Sequence, residues 1–101
     1  MNFSDATFDW DEGNTAKCQK HGLSILEIEA FFALDLLVFE DIRHSAVERR
    51  LVAVGRGRLG KPVFVGFTIR FRDNHPLIRP VTARFMREKE YLRYAKADPG
   101  I

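Results

Sequence analysis

Residues 64–84 constrain the fold of this chain more than any other stretch. Phe64-Val65-Gly66-Phe67-Thr68-Ile69-Arg70-Phe71-Arg72 is followed, after Asp73-Asn74-His75-Pro76, by Leu77-Ile78-Arg79-Pro80-Val81-Thr82-Ala83-Arg84. A strand sends successive side chains to opposite faces. Val65, Phe67, Ile69 and Phe71 therefore form an apolar row, and the other face of the same strand ends in Thr68, Arg70 and Arg72. In the second strand Arg79, Val81 and Ala83 fall on one side, with Ile78, Pro80, Thr82 and Arg84 on the other. The four residues between the strands read as a turn. Pro80 has no N–H for a ladder, which predicts an edge strand or a bulge near it.

The rest of the chain can be placed around this pair. Phe3, Phe8 and Trp10 are spaced to pin a loose lead-in to the body. Asp11 is positioned to cap a first helix running through Lys20, with His21 in its last turn and Gly22 stopping it. Ser24-Ile25-Leu26-Glu27 is a capping box opening a second helix from Ile25 to about Ala33. Leu36–Phe39 and Arg50–Arg56 read as strands, separated by the polar connector Glu40–Glu48. Gly57-Arg58-Leu59-Gly60-Lys61 supplies two glycines for a hairpin turn, and Pro62 opens the next strand. Helical spacing returns from Phe85, with Phe85, Met86, Leu92 and Ala95 facing inward and Pro99-Gly100 ending the helix. We expect one α+β domain over residues 1–101: two N-terminal helices, a four-stranded, mainly antiparallel sheet and a C-terminal helix, with the helices on one face.

Net charge is +2, yet residues 1–42 carry two cations and nine acids (−7) against fourteen cations and five acids in residues 43–101 (+9). All eleven Arg lie from Arg43 onward. Their planar donor forks match phosphate oxygens. This bias suits a polyanionic partner as well as it suits a solvated surface. Cys18 stands alone, so no intrachain disulfide forms, which fits a reducing compartment; we expect it to act as a small, partly buried hydrophobe. With no basic-then-apolar opening and no run near the ~20 apolar residues of a membrane span, a cytoplasmic location is the expectation.

Gly55-Arg56-Gly57-Arg58-Leu59-Gly60 has the letters of a dinucleotide fingerprint, but it joins two strands where the fingerprint needs a strand-to-helix turn. His21, His44 and His75 lack metal-ligand spacing. What remains is an arginine cluster with few carboxylates near it in sequence, plus His44, Lys20, Tyr91 and Tyr94 as proton carriers. RNA can be cut without metal when its 2′-hydroxyl attacks the adjacent phosphate, given a base, an acid and cations. The same residues suit plain phosphate-backbone binding. Spacing does not separate the two.

Several motifs match a known family in order and spacing: Phe8-Asp9-Trp10-Asp11, Lys20-His21-Gly22-Leu23-Ser24, His44-Ser45-Ala46-Val47-Glu48-Arg49-Arg50, Gly55-Arg56, Thr68-Ile69-Arg70, and Ile78 to Arg84 with Met86, Glu90 and Tyr94. Over about residues 8–94 the chain resembles the BrnT toxins of the RelE/ParE-like superfamily. Glu12 and Cys18 depart from the pattern of many relatives. The resemblance implies a RelE-like sheet with flanking helices and a metal-independent endoribonuclease, needing no cofactor, that inhibits translation. It also implies a cognate BrnA-like ribbon-helix-helix antitoxin, a heterotetramer, and operator DNA bound only through the antitoxin. On matching positions, Arg56, Arg70, Arg79 and Arg84 would bind or stabilise phosphate, and His44 would be acid or base or would bond to Glu48. Lys20, His21, Arg50 and Arg72 would line the RNA path, with Glu48 and Arg50 as a buried pair and Tyr94 packing its helix. The alternatives are a gyrase-directed toxin of the same fold and a non-catalytic nucleic-acid-binding module.

Overall fold

A computed structural model describes residues 3–97; the expected helix stop at Pro99-Gly100 lies outside them. The elements are α1 (Thr15–Gln19), α2 (Ile25–Phe31), β1 (Leu37–Glu40), β2 (Leu51–Arg56), β3 (Pro62–Arg72), β4 (His75–Phe85) and α3 (Glu88–Lys96), with 3-10 turns at Ile42–His44 and Arg58–Gly60. The four strands form one antiparallel sheet in chain order.

The β3–β4 hairpin is tighter than expected. Asp73 and Asn74 alone close it, at φ 51° and 66°. These residue types tolerate the left-handed region that two-residue turns require. β4 therefore starts at His75 rather than Leu77, with Pro76 opposite Phe71. The irregularity expected near Pro80 is present. Gly66 faces Thr82 while Phe67 faces Pro80, so Val81 is the extra residue of a bulge. β4 is also the outer strand of the four, but its edge is not bare. The lead-in runs parallel to it: the amide of Asp9 donates to the Ile78 carbonyl, and the Ile78 amide to that of Thr7, both at 2.8 Å.

Side-chain alternation splits the core into two. Leu51, Ala53, Val63, Val65 and Phe67 face α1 and α2, meeting Cys18, Ile28, Phe31 and Phe32. Phe3, Phe8 and Trp10 pin the lead-in to this core as expected, and the Trp10 indole donates to Glu29 at 2.9 Å. Val52 and Val54 face the other way, against Met86, Phe64, Leu37, Tyr91 and Tyr94. The helices thus cover both faces, not one. α3 begins at Glu88, three residues later than Phe85, and this changes its inward stripe. Met86, Tyr91 and Tyr94 turn in, while Phe85 and Leu92 are exposed.

The capping box of α2 forms in full: Ser24 Oγ accepts from the Glu27 amide at 3.0 Å, and Glu27 Oε1 from the Ser24 amide at 3.2 Å. The start of α1 differs from expectation. Asn14, not Asp11, precedes the helix, because Asn14 is buried and ties three backbone groups together. Its Nδ2 donates to the carbonyls of Asp9 and Pro80, and its Oδ1 accepts from the Asp11 amide. His21 falls beyond α1, which ends at Gln19.

In the β2–β3 turn, positive φ falls on Leu59 (58°) and Gly60 (73°), while Gly57 stays at φ −87°. Leu59 is exposed and gains no packing for this conformation. Leu59→Gly is expected to stabilise the protein by about 0.5 kcal/mol, read as a melting temperature raised by about 2–4 °C. An unchanged or lower value would show that the turn is not strained there.

Candidate active site

Past the Tyr94 ring, whose centroid lies 5.4 Å from Phe39 and 6.2 Å from Phe64, the α3 face of the sheet continues through Gly66, Thr68 and Arg70 of β3 and Thr82 and Arg84 of β4. The β1–β2 connector borders this region. It is folded back by the Asp41 amide, which donates to the Arg50 carbonyl at 2.8 Å and extends the β1–β2 ladder by one step. Ser45 Oγ locks the loop, donating to the Asp41 carbonyl at 2.6 Å and accepting from the Arg50 amide at 3.0 Å.

That loop brings three functional candidates together. His44 Nδ1 lies 2.9 Å from Asp41 Oδ2. A carboxylate only accepts, so Nδ1 carries the proton and Nε2 is left as the acceptor nitrogen. Arg50 Nε is 3.9 Å from the same carboxylate oxygen. Glu48 accepts from Arg70 Nε and Nη2 at 3.2 and 3.3 Å. Two expectations are corrected here. His44 bonds to Asp41, not Glu48, because the tight turn brings residues three apart together. Glu48 pairs with Arg70, not Arg50, because the ladder step places Arg50 beside Asp41.

Arg84 borders the same face. Both of its Nη atoms donate to Glu90 at 2.9 Å, and its guanidinium lies 4.4 Å above the Phe64 ring. The ion pair pushes the Glu90 carboxyl below and the Arg84 guanidinium above their ordinary values. Burial, aided by the charge of Glu90, pushes the Tyr94 phenol up, so it stays protonated at neutral pH.

The remaining expected residues are placed elsewhere. Arg79 is only 8% exposed and is held at the β4 edge, both Nη atoms donating to Asp11 at 3.0 Å and Nη1 also lying 3.4 Å from Asp9. Arg72 reaches the same Asp9 at 3.6 Å. Arg56 lies at the end of β2, paired with Glu88 and stacked 4.4 Å over Tyr91. Lys20 and His21 are exposed just past α1, on the opposite side of the sheet. The arginines are also not poor in carboxylates, as chain order suggested. Eight of the eleven have a carboxylate oxygen within 3.9 Å. Most of the basic half is therefore neutralised locally, and bare charge does not single out a site.

Among the described residues, no three His, Cys, Asp or Glu side chains gather as metal ligands, and no helix is long and apolar enough to cross a membrane. Asp41 and Thr68 are the residues that sequence reasoning passed over. The three-residue spacing of Asp41 and His44 was a usable signal. The model of a family described as "Ribonuclease toxin, BrnT, of type II toxin-antitoxin system" matches residues 10–90. It gives no support to a gyrase target. A comparison with curated proteins finds no match.

The Arg79 clamp yields a stability prediction with a definite pH dependence. Arg79 holds the Asp11 carboxyl below its ordinary value of 3.8. A depressed folded value means that the pair stabilises fully above 3.8 and less as pH falls through the folded value. Arg79→Ala should lower the urea midpoint of unfolding at pH 7, with the gap to wild type narrowing as pH falls below 3.8. Equal unfolding curves at pH 7 would show that the clamp holds nothing.

Proposed function

The chain belongs to the BrnT family, the ribonuclease toxins of type II toxin-antitoxin systems, and from that premise we propose that it cuts RNA without a metal on the α3 face of its sheet. The carrying observation is the Asp41–His44 pair at 2.9 Å beside Arg50. With Asp41 fixing the ring, His44 Nε2 takes the proton of the 2′-hydroxyl. The 2′-oxygen bonds to the adjacent phosphorus, and the bond from phosphorus to the 5′-oxygen breaks. Tyr94, protonated on the same face, gives its proton to the departing 5′-oxygen. The products are a 2′,3′-cyclic phosphate and a 5′-hydroxyl. Arg50, Arg70 and Arg84 supply positive charge to the phosphate as its negative charge grows. Arg56, Arg72 and Arg79 are support residues in this scheme, since they pair away from the Asp41–His44 loop, with Glu88 of α3 and with Asp9 and Asp11 of the lead-in.

Membership in the family also gives the chain an antitoxin partner. We propose a BrnA-like, ribbon-helix-helix antitoxin in a heterotetramer, operator DNA being reached only through it. An acidic segment of that antitoxin would complement the arginine-bearing face.

The test is cleavage of end-labelled RNA by purified toxin, with product ends identified. His44→Ala should lower kcat about 100-fold or more, and Tyr94→Phe, which keeps the ring packing, about 10-fold or more. Asp41→Asn should lower kcat with little change in KM, the mark of a positioning residue. EDTA should leave the rate unchanged. Full activity of His44→Ala would remove the histidine from the scheme, and inhibition by EDTA would remove metal independence.

A further inference from the structure

Two polar side-chain atoms on the α3 face, Arg50 Nε and Thr68 Oγ1, are buried without a hydrogen-bond partner. Thr68 is 4% exposed. Buried donors left unpaired are costly and uncommon, so two on one face of one sheet need a reason. The two residues are neighbours. Leu51 pairs with Phe67, so Arg50, one step back along β2, comes level with Thr68, one step on along β3.

Gly66 explains how Arg50 is laid down. A Cβ at position 66 would sit 3.0 Å from Arg50 Nη2 and 3.3 Å from its Nε, and 3.0 Å from the Thr82 methyl. The Nε–Nη2 side of the guanidinium therefore packs closely over bare backbone. This is the edge that grips two oxygens of one phosphate side by side. On the other arginines bordering this region that edge or its neighbour is taken: Arg70 holds Glu48 and Arg84 holds Glu90. Among the described residues, the Arg50 guanidinium has only Asp41, at 3.9 Å.

We propose that Arg50 and Thr68 form the seat of the scissile RNA phosphate, with Gly66 as the floor that lets the guanidinium pack closely. Arg50 gives Nε–H and Nη2–H to two phosphate oxygens, and Thr68 gives its hydroxyl proton to one of them. His44 shares Asp41 with Arg50, so the base stands beside the seat. The assignment of this phosphate as scissile rests on the reading that this face cuts RNA; the seat itself can be tested without it.

The test is titration of nitrogen-15-labelled protein with inorganic phosphate, following arginine Nε–H resonances, with Arg50 assigned by its loss in Arg50→Lys. Phosphate should move the Arg50 signal saturably. Thr68→Val, which keeps the shape and loses the hydroxyl, should weaken that binding about 5-fold or more and lower RNA cleavage about 10-fold, while Thr68→Ser keeps both. Gly66→Ala should displace the Arg50 resonance in the free protein and remove its response. Should Thr68→Val fail to fold, Thr68→Ser and Gly66→Ala still decide the matter. An Arg50 signal indifferent to phosphate, or equally responsive in Gly66→Ala, overturns the seat even if His44→Ala abolishes cleavage. A responsive Arg50 in a protein that cuts no RNA keeps the seat and overturns the ribonuclease reading of this face.

Discussion

Phe32 meets four other rings edge-on: Phe67 at 5.1 Å, Phe3 at 5.5 Å, Phe8 at 5.6 Å and Phe31 at 5.7 Å between centroids. These rings come from the lead-in, from α2 and its end, and from β3. Edge-to-face pairs add about 0.5–1.5 kcal/mol each beyond the area they bury, and they are directional. The cluster therefore sets the face to which Phe67 belongs. Because strand side chains alternate, fixing Phe67 inward fixes Thr68 outward, and Gly66 and Arg70 with it. A slip of one residue would bury the arginine row and expose the phenylalanines. The arginine-bearing face is thus held in place by the core on the other side of the same strand.

Electrostatics then sorts the arginines. The acidic N-terminal part and the basic C-terminal part of the chain fold onto one another, most directly where Asp9 and Asp11 clamp Arg79. That clamp anchors the lead-in beside β4, where it serves as a short parallel neighbour. Paired forks of this kind hold structure and are poorly placed to hold substrate. Arg50 differs because Asp41 is shared with His44 and stands off by 3.9 Å. One carboxylate orienting a histidine and facing a loosely held guanidinium gives the β1–β2 connector its place in the proposed chemistry.

Much of this architecture was legible in the chain. The alternation of β3, the capping box at Ser24, the irregularity at Pro80 and the aromatic pins of the lead-in are local signals, and local geometry honours them. The misses share a cause. Asp11 looked like a helix cap because nothing in sequence shows that Arg79, 68 residues away, would claim it. The inward stripe of α3 was mis-set because its start was placed at Phe85, and a shift of three residues changes which side chains meet the sheet. The arginines looked unpaired because their carboxylates are distant in sequence and close in space.

By itself, the sequence determined the strand pair, the faces of β3, the onset of α2 and the family to which the chain belongs. Each follows from spacing within a few residues or from the order of motifs along the chain. The tertiary structure alone decided which arginines are gripped by carboxylates and which are held loosely. That choice depends on distances between side chains on different strands, on the bare backbone of Gly66 beneath Arg50, and on carboxylates delivered by remote segments. No periodicity encodes these, because they arise only once the sheet has closed around its core.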